Sequence, residues 1–253
     1  VGVNAQVLTL NNSWTLEPRA GIKWQFSPKS SFALAYGLHS RMEKMDVYFV
    51  KTQGTGDRSV NKDLGFTRAH HVMLSYGFKV SDNMNMKIEP YFQQLYDVPV
   101  ISDSSYSVLN RRDFYVENAL VNRGKGRNIG VDITLERYLN KGLYYMVTAS
   151  IFDSNYYGGD RKWRNTLYNR NFIVNVLGGK EWMVGRDRQN MFSVNFKITL
   201  QGGDRYAPVD EVATLLDPDR EVQYDETKAF SKQFSPMFIT NFSVGYKINR
   251  KKV

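Results

Sequence analysis

The feature that most restricts how this chain can fold is a strict alternation of apolar and polar residues, repeated along almost its whole length. Over 14–26 the even positions read Trp14, Leu16, Pro18, Ala20, Ile22, Trp24 and Phe26. The odd positions read Thr15, Glu17, Arg19, Gly21, Lys23 and Gln25. A period of two puts these sets on opposite faces of a β-strand, one continuously apolar and the other charged. The same alternation recurs at 32–39, 72–79, 84–93, 129–136, 192–200 and 242–249. Weaker versions at 1–9, 142–152 and 171–183 bring the expectation to about ten strands. No comparable stretch has the spacing of an amphipathic helix.

Strand length and loop order separate two all-β architectures. Strands of soluble proteins run to about 5–6 residues, whereas a membrane-crossing strand needs about 9–11 residues tilted near 45°. Ten residues at about 3.3 Å each, tilted that far, climb roughly 23 Å, close to the ~25 Å apolar band of an outer-membrane barrel. The connections at 27–30, 81–83, 140–142 and 185–189 are short, and those at 51–67, 97–127, 153–170 and 202–235 are long. The two kinds alternate, as they do when every second connection lies on the same side of an up-and-down barrel. One link, at 11–13, is short on the predicted outer side. Trp24, Phe26, Phe32, Phe78, Trp182, Phe192 and Tyr246 cluster near the short turns or the chain end, where an interfacial aromatic girdle belongs. Pro18 and Pro90 each remove a ladder donor, so bulges are expected at both.

Composition excludes several alternatives. With 253 residues, 42% of them hydrophobic and 23% charged, the chain is neither disordered nor a linker. The absence of cysteine removes disulfide frameworks, thiolate metal sites and cysteine nucleophiles. No apolar run approaches the roughly 18 residues of a membrane helix. A net charge of +9 raises nucleic-acid binding, but the basic residues are scattered and form no helical cluster, so no nucleic-acid partner is expected.

Residues spread over nearly the whole chain resemble the C-terminal half of a TonB-dependent outer-membrane receptor barrel. The subgroup is the one whose chains begin with a carboxypeptidase-regulatory-like domain. The resemblance is carried by 16–24 (LEPRAGIKW), 36–40 (YGLHS), 89–91 (EPY), 95–99 (LYDVP), 130–132 (GVD) with Glu136, 168–171 (YNRN), 178–182 (GGKEW) and 202–205 (GGDR). It implies active uptake through a barrel of about 22 strands whose lumen is filled by a plug. It also implies location in the cell outer membrane, contact with outer-membrane lipid, and an inner-membrane energy-transducing complex that acts through an N-terminal region. A surface lipoprotein is a further partner open to such a receptor. Residues 1–253 then form part of one barrel domain, an internal segment with plug and further strands elsewhere in the polypeptide. The end at 247–253 lacks the terminal aromatic of a last barrel strand.

Candidate ligand contacts are outer-loop aromatics and arginines: Tyr106, Arg111, Arg112, Tyr115, Tyr156, Tyr157, Trp163 and Arg164. Aromatic faces stack on sugars or flat chelates, and guanidinium groups hold carboxylates or phosphates. Loop packing and anionic headgroups are the competing uses of the same groups. Glu17, Arg19, Lys23, Lys87, Glu89, Asp132 and Glu136 fall on the lumenal register and would face the plug. His39 is lumenal but has no evident catalytic partner, and the adjacent His70 and His71 point to opposite faces, so neither an enzyme nor a metal site is expected. Asp217-x-Asp219-x-Glu221 lacks the glycine and distal glutamate of a calcium loop and reads as a solvated acidic loop. The transported substrate would be a glycan, a peptide or a metal chelate. Two alternatives stand beside the transporter: a small complete barrel acting as passive channel or surface enzyme, and a soluble β-sandwich. In the sandwich, Ile22, Leu34, Leu74, Ile133 and Val194 would be covered by a second sheet.

Overall fold

The computed structural model describes residues 1–52, 59–111, 116–219 and 221–249. Ten long strands form one antiparallel sheet: β1 (Gly2–Leu8), β2 (Ser13–Ser27), β3 (Ser30–Arg41), β4 (Thr67–Ser81), β5 (Met84–Val100), β6 (Val121–Asn140), β7 (Leu143–Tyr157), β9 (Phe172–Val184), β10 (Asn190–Gln201) and β13 (Met237–Lys247). They neighbour one another in chain order, with the short β8 (Trp163–Asn165) added to the outer end of β7. A separate ribbon joins β11 (Arg205–Tyr206) to β12 (Lys232–Gln233), and two short helices, α1 (Met45–Tyr48) and α2 (Glu211–Leu216), lie in the long loops. The turns after β2, β4, β6 and β9 fall at one end of the sheet and the long loops at the other, where the short link at 9–12 between β1 and β2 also lies.

Register explains why the sheet has one apolar face. A single rung runs Trp24–Phe32–Tyr76–Ile88–Ile133–Ala149–Val174–Leu200–Phe238, apolar across nine strands. The rung Phe78–Met86–Leu135–Val147–Val176–Ile198 lies nearer the short turns. A slip of one residue between any two strands would put charge into this surface, so the apolar set pins the pairing. Toward the short turns the apolar face carries touching aromatics, with Trp24 and Phe26 rings 5.4 Å apart and Trp182 and Phe192 rings 5.7 Å apart. These are the girdle positions expected from the sequence.

Exposure distinguishes barrel wall from sandwich. Ile22 is 68% exposed and Leu34 41%, and Leu74, Ile133 and Val194 keep part of their surface open. Among the described residues no second sheet covers this face. Apolar side chains left outward on nine adjacent strands match a wall meant for hydrocarbon.

Three details differ from the sequence reading. Neither proline introduces a bulge. The β2–β3 ladder begins only at Arg19↔Gly37, one residue past Pro18. Around Pro90 the β4–β5 pairing omits two successive pairs, Leu74 with Pro90 and Ser75 with Glu89, but keeps its register, Met73↔Tyr91 and Tyr76↔Ile88. A missing N–H thus removes a bond without inserting a residue. The bulges sit at the hairpin turns of β2–β3, β4–β5 and β6–β7, and between Leu95 and Pro99 where Asp97 takes a positive φ.

The strands are also longer than expected, with β6 reaching 20 residues, so the loop predicted at 97–127 shrinks to 101–120. Finally, the main apolar core lies beneath the loops rather than in the sheet. Val47, Tyr48, Leu64, Phe66, Val98, Val108 and Leu120 pack on the inner side of the outer rim. That core allows β5 and β6 to keep pairing beyond the membrane band.

Replacing Ile133 by Arg puts a charge near the middle of the apolar face. In the full natural chain folded into lipid vesicles, this variant is expected to lose about 2–4 kcal/mol of unfolding free energy in a denaturant titration. A change near zero would mean that this face does not meet hydrocarbon.

Candidate functional site: the lumenal face and the outer loops

The face opposite the apolar one is polar, and its side chains are joined across strands. One rung carries Arg19, Gly37, His71, Gln93, Asn128 and Ser154. Along it the Gln93 amide meets His71 Nε2 at 3.4 Å, Asn128 Nδ2 donates to Gln93 Oε1 at 2.9 Å, and Ser154 Oγ donates to Asn128 Oδ1 at 2.6 Å. Thr166, from the loop above, continues the chain to Ser154 at 2.9 Å. A concavity of about 470 Å³ opens against this track, bordered by Tyr91, Asp132 and Tyr168. Uncharged donors and acceptors in a row suit a surface that holds polar matter or another protein layer without a fixed charge preference.

Of the lumenal charges expected from the sequence, Glu17 is the most enclosed, at 1% exposure. Its carboxylate accepts from Asn4 Nδ2 (3.1 Å), Gln6 Nε2 (2.5 Å), Arg19 Nη2 (2.8 Å), the Ser40 amide (3.0 Å) and the Ser40 hydroxyl. This contact sits where the β2–β3 backbone ladder has stopped, so the side chain bridges strands that no longer pair. Lys87 and Glu89 form an ion pair at 2.8 Å, and Asp132 accepts from the Ser150 hydroxyl.

The histidines separate as the strand period demands. His70 faces outward between Tyr36 and Tyr96, with ring centroids 6.1 and 5.3 Å away, whereas the His71 ring lies inward, 6.2 Å from His39. Among the described residues no group of three metal-ligating side chains converges.

The described residues of the outer loops are tied together by side-chain contacts. Asn61 spans two of them, donating to Asn118 O (3.0 Å) and accepting from the Leu120 amide (2.7 Å). In the loop after β3, Tyr48 is buried and its hydroxyl accepts from the Glu43 amide at 3.2 Å. Burial raises the pKa of Glu43, with Arg41 at 3.8 Å opposing the shift. The loop 202–236 is anchored by Arg170 Nε to Asp204 at 2.6 Å and by Arg205 to Asn169 O and Asn171 Oδ1, each at 2.8 Å. Gly202 is essential to that anchor, since a Cβ there would lie 1.8 Å from the Arg170 carbonyl oxygen. The GGDR and YNRN segments quoted from the sequence are therefore two halves of one clasp. In the acidic loop, the Asp217 carboxylate accepts from the amides of Asp219 and Glu221 at 2.9 and 3.2 Å, so it serves its own backbone.

The structure distributes the eight sequence-derived ligand candidates over several environments. Arg112 and Tyr115 lie outside the described residues. Tyr106 packs against the loop core, and Arg111 binds Asp46 at 2.8 Å, lowering the Asp46 pKa. Tyr156 is fully buried, its ring edge-on to Phe230 at 6.0 Å, so it braces the wall and offers no face to a ligand. Arg164 makes a two-point contact with Asp160 at 2.9 and 2.6 Å, which holds the Asp160 carboxyl below its ordinary pKa. Tyr157 and Trp163 remain available, with rings 5.5 Å apart. They stand on the outward register, opposite to the lumen. Missed from the sequence was the neutral amide track, because Gln93, Asn128 and Ser154 join only through register.

No family model matches the sequence, and no curated protein does. Solved structures do match. The ferric-catecholate import receptor Fiu of E. coli K12 superposes with a TM-score of 0.63 at 10% identity, over 95% of this chain and 30% of that one. FpvA of P. aeruginosa, solved with an iron-loaded heterologous pyoverdine, gives 0.60 at 9% identity, over 90% and 26%. This chain has the fold of an outer-membrane receptor barrel. The FrpB iron transporter of Neisseria meningitidis agrees, at 0.57 and 12% identity over 93% and 32%. The chain thus spans about a third or less of the length of each barrel receptor it matches.

Two outcomes follow. Glu43 has a raised pKa when folded, so its contribution is full below the ordinary carboxylate pKa and is lost as pH rises through the raised value. Glu43→Gln is expected to slow amide exchange at Val47 and Tyr48 at neutral pH and to flatten its pH dependence. Gly202→Ala is expected to break the clasp and open the loop 202–236 to proteolysis; an unchanged cleavage pattern would show that the Arg170 carbonyl can retreat.

Proposed function

We propose that this chain is the barrel segment of a TonB-dependent outer-membrane transporter that takes up a metal chelate. The observation that supports this most is the match of nearly the whole chain to receptors solved for ferric-catecholate import, with an iron-loaded pyoverdine and for iron transport. Substrate binds first at the rim formed by the folded outer loops. A plug domain of the same polypeptide lies against the neutral amide track and the Glu17 network. An inner-membrane energy-transducing complex pulls on the N-terminal region, the plug rearranges, and the substrate passes inward unaltered. Nothing covalent happens to it, so the wall has to bind weakly at several points rather than tightly at one.

The test uses the full natural chain in the cells that make it. Deleting its gene is expected to abolish uptake of a radiolabelled ferric chelate from a panel of catecholates and hydroxamates. Collapsing the proton-motive force is expected to do the same in unmodified cells. Uptake that persists after the collapse would indicate a passive channel. Loss of growth on a glycan or peptide, with iron uptake intact, would reassign the substrate.

A further inference from the structure

We infer that the outward face of the outer rim, at β6, β7 and the loop that follows β7, is a binding site for the phosphate-bearing headgroup of an outer-leaflet lipid. This inference rests on the barrel wall and not on the transport reading.

The outer end of β6 reads Arg123-Gly124-Lys125-Gly126-Arg127. The glycines face inward against the loop core, and the three cations take the outward register that Ile129, Val131 and Ile133 continue below them. With Ile133 near the midplane, each residue of a strand tilted near 45° climbs about 2.3 Å. Ile129 then lies roughly 9 Å above the midplane, inside an apolar band whose half-height is about 12 Å. Arg127 falls at roughly 14 Å and Lys125 at roughly 19 Å on the same scale. The change from isoleucine to arginine therefore occurs at the edge of the hydrocarbon, and the cations stand at headgroup depth.

The neighbouring strands complete the site. Register places Lys125 beside Tyr157 and Tyr157 beside Trp163. The Lys125 ammonium lies 5.7 Å from the Tyr157 ring centre, and the Arg127 guanidinium 5.4 Å from that of Trp163. Trp163 is 46% exposed and sits where interfacial indoles gather.

Beside them a cavity of about 330 Å³ is bordered by Arg123, Lys125, Tyr157 and Arg161. Among the described residues, Asp103 is the one carboxylate on its border. Three cations against one anion leave an excess of two positive charges, and among the described residues none of the three cations is in a salt bridge. The loop that carries Arg161 is held in place: a Cβ on Gly159 would lie 1.8 Å from the Ile101 carbonyl oxygen, and the Asp160 amide donates to Ser104 O at 3.1 Å. Arg164, clamped by Asp160, fixes the far side of the same loop. A rigid basic cup directly above an apolar wall suits an amphiphile whose phosphate enters the cup while its acyl chains lie along Ile129 and Ile151. A free anion gains only the first of these contacts.

The full natural chain is placed in nanodiscs of phosphatidylcholine, alone or doped with lipid A, and released into native mass spectrometry. Lipid A is expected to stay bound in preference to phosphatidylcholine. Each surface cation removed weakens such binding about fivefold, so Arg123→Ala with Lys125→Ala is expected to lower affinity about 25-fold. The conservative pair Arg123→Lys and Lys125→Arg should keep most of it. A control, Arg186→Ala at the opposite end of the sheet, should leave binding unchanged.

Equal retention of phosphatidylcholine and lipid A by the unmodified protein would overturn the proposal without recourse to any variant. So would lipid A binding that survives the double alanine change. A third arm titrates inorganic pyrophosphate against the detergent-solubilised protein. Binding as tight as that of lipid A, and lost in the double variant, would assign the cup to a soluble anion and refute the lipid.

Discussion

Every backbone donor and acceptor that lies in hydrocarbon has to be satisfied by the protein itself, because no water is there to do it. The pairing of ten long strands in chain order follows from that requirement, and the rest of the molecule depends on it. Pairing in order needs tight turns at one end, and these are short. It leaves the opposite end free, and all the long loops lie there. The proline positions show how firm the requirement is. Around Pro90 the ladder omits two pairs but the register on either side is unchanged, so the apolar rung from Ile88 to Ile133 survives.

Facing side chains then divide by environment. Outward, the wall needs only apolar bulk, and Val, Ile, Leu and aromatics supply it. Inward, an aqueous or protein-filled space accepts polar and charged groups, and several of them are joined to neighbours: Glu17 with five donors, Lys87 with Glu89, Asp132 with Ser150. The loops solve a different problem. They carry too many backbone polar groups to be left unsupported, so they build a small apolar core around Tyr48 and Val98 and tie themselves together with Asn61 and the Arg170–Asp204 contact. Contacts of this kind hold the described loop segments against one another and against the strand ends.

Strand number, the sense of each face and the side on which the loops lie were all legible in the alternation of residues. A membrane wall writes one face in apolar and the other in polar letters over enough positions for period two to be unmistakable. The candidate site was far less legible. Arg164 and Tyr156 look alike in sequence to Tyr157 and Trp163, as loop aromatics and cations. Only the structure shows that the first two are consumed, by Asp160 and by packing, while the second two face outward on the wall beside Lys125 and Arg127. The GGDR segment looked like a marker of resemblance and proved to be a clasp. Its need for glycine arises from the Arg170 carbonyl, some thirty residues away in sequence.

What the sequence determined by itself was the barrel wall: which residues meet lipid, which meet the lumen, and where the chain turns. These are local properties, because a strand's two faces are set by the geometry of consecutive residues. What only the tertiary structure decided was which residues meet across strands and between loops. The track from His71 through Gln93 and Asn128 to Ser154 draws on four strands, and the basic cup draws on β6 together with the loops that follow β5 and β7. Neither has a sequence signature, since neighbours on one rung are separated by the full length of a hairpin, and that separation is fixed only when the register is.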